Sequence, residues 1–321
     1  MKDSLAIILH LYHIDLWQEF KELLIPFRNE FKLYLCLCED NGEQTEIIKS
    51  AKNLFDTDIS FHKNYGADIA SFLRTLENIK ESYFIKIHTK KSLLGQYNQI
   101  KWRHILLHDF FSNTNIFESN YKQILTNPDC GMIGNKYLLS TDSENYHSHK
   151  IKELCNILKI NYDNITNYSF FGGNMFMSKT HLFKKHFLPY QDILQYLLSK
   201  ELNKVIEKHT GTYSHSLERL FGYIVSLNNL NFYYVKHATI IIPNNKAPNG
   251  KFNLIKLYNN DCYLQEDLNV YGQIIDFNEN ELSIEWHHMK PKPIQKYTLI
   301  NKNTAVQKNL DTPREKDIIH E

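Results

Sequence analysis

Tyr83-Phe84-Ile85-Lys86-Ile87 runs straight into His88-Thr89-Lys90-Lys91-Ser92. A mostly apolar run of this length fits a buried strand, and the abrupt change to an imidazole, two hydroxyls and two lysines marks its end at a loop. Three strand-like runs precede it, at residues 5–11, 31–38 and 59–61, with helix-like spacing between them. Residues 15–25 carry Asp15 at a helix start, and residues 43–55 place Ile47, Ile48, Ala51 and Leu54 at helical intervals. Asn64-Tyr65-Gly66-Ala67-Asp68 is a turn-rich segment that opens a helix over 69–79. Strand, helix, strand, helix at this spacing predicts right-handed βαβ units. The fold class is therefore α/β, a mostly parallel sheet flanked by helices.

Downstream, helical spacing at 102–111 and 116–125 is followed by a strand at 130–133 and a polar, His-rich loop at 141–150. An apolar, aromatic run at 169–177 is broken by Gly172-Gly173; helices follow at 193–206 and 214–227, and strands at 232–235 and 239–242. Beyond residue 243 the character changes. Runs at 270–277 and 281–286 around Asn278-Glu279-Asn280 predict a β-hairpin. The end of the chain is charged, with few apolar anchors. The expected organisation is a first domain over 1–243, a small β-rich accessory region over 244–300 and a loosely ordered tail over 301–321. The accessory region reads equally as a clamp, an oligomer contact or an acceptor-binding piece.

Composition excludes several classes. In 321 residues, 42% are hydrophobic and 23% charged, which is globular rather than disordered. Lys and Arg total 37 against 36 Asp and Glu, a net charge of +1, and a nucleic-acid binder carries a strong basic excess instead. No stretch reaches the roughly 20 apolar residues of a membrane span, and the first residues lack a signal-peptide cleavage pattern. Cys36, Cys38, Cys130, Cys155 and Cys262 are scattered without metal-ligand spacing, as expected in a reducing compartment. The expected location is cytoplasmic.

In parallel α/β sheets, ligands sit where the carboxyl ends of the strands meet the following loops. Four polar clusters fall at such ends: His10-Leu11-Tyr12-His13, residues 64–68, residues 88–92 and Gly172-Gly173-Asn174. Lys90 and Lys91 with the neighbouring hydroxyls suit a diphosphate, although lysines also keep an ordinary loop soluble. Gly66 lets backbone approach a ligand closely. Asp68 either holds a sugar or ribose hydroxyl or is a first-turn carboxylate favoured by the helix dipole. Glycines weaken a strand unless a bulge or a ligand needs the room, which singles out Gly172 and Gly173. His215, Glu218 and Arg219 lie in the first turns of one helix, where a carboxylate could serve as general base or simply pair with arginine. His147, His149, His287 and His288 read as surface imidazoles, and the sixteen histidines form no pattern such as HExxH.

Asn64-Tyr65-Gly66-Ala67-Asp68-Ile69-Ala70-Ser71-Phe72-Leu73 is the first of five motifs that resemble those of one known family. The others are Lys86-Ile87-His88-Thr89-Lys90-Lys91-Ser92, Trp102 with Leu106-Leu107, Phe171-Gly172-Gly173-Asn174-Met175-Phe176, and Gly211-Thr212-Tyr213-Ser214-His215-Ser216-Leu217-Glu218-Arg219-Leu220. In order and spacing, from about residue 5 to residue 235, they resemble the rhamnan-synthesis protein F family, glycosyltransferase-like proteins of bacterial cell-surface polysaccharide assembly. Ser71 stands where that family usually has proline, and residues 161–169 are Asn-rich where it often has a tryptophan- and glycine-rich stretch.

The resemblance implies a GT-A-like fold and a nucleotide-sugar donor, with a deoxyhexose such as rhamnose among the candidates. The implied acceptor is a glycan or lipid-linked glycan of capsule, lipopolysaccharide O-antigen or rhamnan type. It implies donor binding by His10, Tyr12, Asn64, Gly66, Asp68, His88, Lys90, Lys91 and Arg219, and a sugar pocket at Gly172, Gly173 and Asn174. Glu218 is the implied acceptor base, with His215 and Asp68 beside it, while Arg219 faces either the leaving phosphate or Glu218. Many such enzymes hold the diphosphate through a metal at an Asp-x-Asp motif after the fourth strand. Here that place carries residues 88–92, and Asp56-Thr57-Asp58 precedes the third strand. The expectation is that Lys90 and Lys91 replace much of the metal's charge, with Asp68 or His88 left as ligands should Mg²⁺ or Mn²⁺ bind. Peripheral attachment at the cytosolic face of the inner membrane and a homo-oligomer are compatible with the sequence. The competing readings are a non-catalytic nucleotide-sugar-binding subunit of a polysaccharide synthase, and a hydrolase or phosphotransferase using Asp68 and His88. The latter lacks a GxSxG or P-loop motif.

Overall fold

Strand β1 (Leu5–Leu11) is buried along almost its whole length, because it is an interior strand of a sheet flanked by helices. In the computed structural model it pairs in parallel with β2 (Lys32–Cys38) on one side and β4 (Tyr83–His88) on the other, and β2 pairs in parallel with β3 (Thr57–His62). The connections are α1 (Trp17–Leu24), α2 (Thr45–Leu54) and α3 (Ala67–Thr75), close to the expected helices. The structure describes residues 4–39, 42–91, 93–94, 97–111, 114–135, 138–142, 147–201, 211–234, 239–243, 252–258, 261–264, 271–277, 281–286, 294–301 and 304–307.

After β4 come a short hairpin of β5 (Leu93–Leu94) and β6 (Tyr97–Lys101), then α4 (Trp102–Phe111), α5 (Thr114–Thr126) and β7 (Cys130–Gly134). Next are β8 (Leu139–Thr141), α6 (Ser148–Ile157), β9 (Ser169–Phe171), β10 (Phe176–Lys179), α7 (Thr180–Phe187), α8 (Gln191–Ser199), α9 (Tyr213–Leu227) and β11 (Asn231–Tyr234). The large sheet runs β11-β7-β10-β4-β1-β2-β3. Strand β10 lies antiparallel to both β4 and β7, and the other pairings are parallel. One core unites α3, α7 and α9 with the sheet through edge-to-face and stacked phenylalanines. Phe72–Phe84 centroids are 5.3 Å apart, Phe84–Phe183 5.1 Å and Phe187–Phe221 5.1 Å.

Two compact units result, residues 1–92 with 109–235, and residues 93–108 with 236–321. In the second, β12 (Thr239–Pro243), β13 (Phe252–Tyr258), β14 (Asp261–Leu264), β15 (Tyr271–Phe277), β16 (Glu281–Trp286), β17 (Ile294–Asn301) and β18 (Thr304–Gln307) close a barrel. The predicted hairpin is β15–β16. The strand expected at 239–242 belongs to this barrel, through β13 and β18, and not to the first domain's sheet. Part of the expected tail, β18, pairs with β17, while residues 308–321 lie outside the described residues.

The His-rich loop is shorter than expected, since α6 starts at Ser148. His147 is buried rather than superficial: its Nδ1 lies 3.3 Å from Ser216 Oγ, and its ring fills the space where a Cβ on Gly211 would stand. Helix α8 begins two residues before the helix read at 193–206, and residues 202–210 lie outside the described residues, as do His287 and His288.

Candidate functional site

The carboxyl ends of β1 and β4 stand side by side, His10 opposite His88 in register. Above them the first unit holds a cavity of ≈ 550 Å³, lined by His10, Tyr12, His13, Asn64, Tyr65, Gly66, Ala67, Asp68, His88, Thr89, Lys90, Lys91 and Glu201. Sites for small molecules fall in this size range. Thr89 binds its two loops together: its amide donates to His10 O (3.0 Å), and its Oγ1 accepts from the amides of Tyr12 and His13 (3.0 Å each). That hydroxyl, read from the sequence as a donor to ligand, is engaged with backbone. Gly66 (φ +61°) and Ala67 (φ +48°) turn the chain left-handed into α3. Asn64 reaches across, its Nδ2 donating to Tyr12 Oη at 3.4 Å.

Asp68, in the first turn of α3, does not cap its helix. Its Oδ2 accepts from Lys86 Nζ and from Asn174 Nδ2 (2.7 Å), and His88 Nδ1 lies 3.5 Å away. Lys86 rises from the middle of β4 with its side chain 2% exposed; it also donates to Asn174 O (2.9 Å) and faces the Phe72 ring at 5.5 Å. The turn between β9 and β10 has Gly173 at φ +84° and Asn174 at φ +56°. The preceding residue donates in turn: Gly173 N bonds Glu218 Oε1 at 3.0 Å. One tight turn therefore holds two carboxylates, Asp68 by a side-chain amide and Glu218 by a backbone amide.

The two carboxylates are pushed apart electrostatically. Burial works against ionisation of Asp68, but the charge His88 takes on once protonated, together with the Lys86 ammonium and its hydrogen bond, outweighs it and holds the group well below the usual carboxylate range. Glu218 is raised, first by burial and then by the negative charge of Asp68, with Lys90 and Arg219 opposing. Burial lowers His10 to about 4 and His88 to about 3, so both imidazoles are neutral at pH 7 and the cation facing Asp68 there is Lys86.

The other expected site residues divide. Lys90 lines the cavity, and its charge acts on Lys86, His88 and Glu218. Lys91 is half-exposed and paired to Asp15 (2.6 Å). Glu218, Gly172, Gly173, Asn174, His215 and Arg219 are not among the cavity-lining residues; Glu218 and Asn174 meet the site through the Asp68 cluster. Arg219 is drawn aside: Nε donates to Asp142 Oδ2 (3.2 Å), Nη1 to His215 O (3.0 Å), and its guanidinium covers the Phe170 ring. His215 Nδ1 is 2.9 Å from Thr212 Oγ1, the N-cap of α9. Asp58 pairs with Lys32 at the amino end of β3, away from the cavity.

Sequence reasoning gave no role to Lys86, although it opens one of the five motifs, and passed over Glu201. The signal for Lys86 was a lone lysine inside an apolar strand, which has to find a buried counter-ion. Glu201 accepts from Tyr213 N, Ser214 N (3.2 Å) and Ser214 Oγ (3.0 Å), fastening the start of α9 at the edge of the cavity; no local pattern announces it. Among the described residues no group of three or more His, Cys, Asp or Glu is placed to hold a metal, and no helix is long and apolar enough to cross a membrane.

Comparison with known proteins gives one family profile, described as rhamnan synthesis protein F, over residues 1–230. No curated protein matches the chain. Among solved structures, the glycosyltransferase GlyE of Streptococcus pneumoniae TIGR4 is similar at 12% identity and a TM-score of 0.35, covering 72% of this chain and 45% of that one.

Proposed function

The chain belongs to the rhamnan synthesis protein F family, glycosyltransferases of polysaccharide assembly, and on that premise we propose that its first unit is a GT-A-like transferase. It moves a sugar from a nucleotide-sugar donor to a hydroxyl of a cell-surface polysaccharide precursor. One observation carries this reading: the turn at 172–174 grips one carboxylate that is held ionised and another whose pKa is raised. Pairs of titratable groups driven apart in this way mark acid–base assignments.

In the transfer, the acceptor O–H gives its proton to Glu218 as its oxygen bonds to the anomeric carbon, and the bond from that carbon to the diphosphate breaks. A raised pKa brings Glu218 nearer the operating pH and makes it a better base. Asp68, fixed by Lys86, accepts hydroxyls of the donor, and Lys90 meets the charge that gathers on the leaving diphosphate. Tyr12, Asn64 and Gly66 line the remainder of the donor cavity. Arg219 and His215 serve by holding α9 in place.

A divalent cation bound at Asp68 Oδ2 would have to displace the ammonium and the amide already there, and in this reading Lys86 and Lys90 supply the positive charge instead. Turnover is therefore expected to survive EDTA. Abolition by EDTA with rescue only by Mg²⁺ or Mn²⁺ would contradict the lysine assignment. The acceptor is proposed to be a lipid-linked or growing glycan at the cytosolic membrane face.

Nucleotide sugars screened for thermal stabilisation, followed by a transfer assay with the best binder, test the reading. A ligand at 100 times its Kd adds about 2.7 kcal/mol to stability. The expected result is one nucleotide class that raises Tm and supports transfer to a glycan acceptor. Failure of every nucleotide sugar would overturn the reading. Binding without transfer or donor hydrolysis would leave a non-catalytic synthase subunit in its place.

A further inference from the structure

The opposite end of β4 opens on a second cavity, of ≈ 690 Å³, within the same unit. It surrounds Tyr83, where β4 begins and β10 ends in register with Lys179. His88, at the other end of the strand, is roughly 16 Å away at 3.3 Å per residue. This cavity is thus separate from the Asp68 cleft, and nothing in the transfer reaction uses it.

Its wall is cationic. Lys80, Lys179 and Lys184 line it, and among the described residues none of them forms an ion pair with a carboxylate. Lys179 Nζ donates to Pro128 O (2.6 Å) and Lys184 Nζ to Ile79 O (2.6 Å) and Glu77 O (3.4 Å), so backbone carbonyls aim these ammonium groups without neutralising them. Glu81, the lone carboxylate in the lining, is occupied by Tyr34 Oη (2.8 Å) and the Lys80 amide (3.1 Å). Nearby Asp129 accepts from Asn231 Nδ2 and Tyr233 Oη, and the Lys179 charge also acts on it without a direct ion pair.

The wall also contains the first turn of α7, whose positive end favours an anion. A helix end and lysines alone would describe many surfaces. The deciding feature is Thr180, 4% exposed, whose Oγ1 is buried without a hydrogen-bond partner in the residue that opens α7 and lines the cavity. A buried hydroxyl without a partner is costly unless something supplies one. The remaining wall is formed by Ile79, Tyr83, Pro128 and Leu230, with Ser82 and His181 as its further polar members.

We infer that this cavity is a second ligand site, for a phosphate monoester on an apolar or aromatic body. The phosphate sits on Thr180 Oγ1 with Lys179 and Lys184, and the body lies against Tyr83, Pro128 and Leu230.

The probe is phenyl phosphate, titrated calorimetrically into the full-length protein, with inorganic phosphate as the body-less comparison. The expected result is one saturable equivalent of phenyl phosphate, tighter than inorganic phosphate by at least threefold and unchanged in Lys90→Met, which alters the other cleft. Thr180→Val weakens it at least tenfold without lowering Tm, since the substitution removes an unpartnered hydroxyl at constant shape. Thr180→Ser restores it. Lys80→Met, at the rim, gives a weakening of about threefold that does not depend on the Thr180 variants folding. Absence of saturable binding, equal affinity in wild type and the Thr180→Val and Lys80→Met proteins, or loss in Lys90→Met alone would overturn the assignment.

Discussion

Lys86 has two acceptors and no route to solvent, which makes its charge inseparable from that of Asp68. Removing either partner strands the other: Asp68→Asn or Lys86→Met should each cost about 3–5 kcal/mol by denaturant unfolding. The double variant should cost much less than their sum. Strict additivity would show that the pair is not coupled. Little of this was legible beforehand. The sequence placed Asp68 at a helix start, where a carboxylate has a sound structural reason to be, and Asn174 beside two glycines that suggested room for a ligand. Which of their groups touch is decided by a turn 106 residues further on, and no local pattern encodes that. His88 and Lys90 were visible because polarity changes abruptly where β4 ends.

At the scale of elements, α9 must approach β9 closely to bring Glu218 to Gly173. Gly222 is the contact: a Cβ there would stand 2.3 Å from Ser169 O and 2.6 Å from Phe170 Cα, and backbone cannot yield. Gly222→Ala should therefore cost about 1–3 kcal/mol and lower kcat more than it changes donor affinity, because the helix that carries Glu218 is displaced. Wild-type Tm and kcat in this variant would refute the close-approach account. The βαβ half of the unit was readable because its strands are apolar runs and its helices have clean 3.6-residue spacing. The later half was harder. Helix α7 is eight residues long with three apolar positions, too short for periodicity to speak, and α6 hides behind a polar approach. That β10 runs antiparallel between β4 and β7 follows from packing of the whole sheet, which the spacing of strands does not determine.

For the molecule as a whole, buried neutral imidazoles set an acid limit. Burial lowers His10, His62 and His147 to about 4 and His88 to about 3, against 6.5 for a free imidazole. Between those values the unfolded chain binds more protons than the folded one, so stability falls as pH drops from about 6.5 towards 4. Each such histidine contributes up to about 1.4 kcal/mol per pH unit in that window. Denaturant unfolding at pH 7, 6, 5 and 4 checks this, and a flat profile would contradict the burial of these rings. Above pH 7 the same groups exert no pull.

The second unit's strands were partly anticipated from its hairpin. Closure of β12 to β18 into a barrel was not, because one parallel pairing of Ile241 with Thr304 completes it across more than sixty residues (about the scale at which loop closure leaves no local trace). The central claim rests in the first unit, on Glu218 as the group that takes the acceptor's proton. Its most direct test is transfer by Glu218→Gln, measured beside donor affinity in the same protein. A fall in kcat of roughly 10²–10⁴-fold with donor Kd unchanged is the predicted result; turnover near that of the wild type would contradict it.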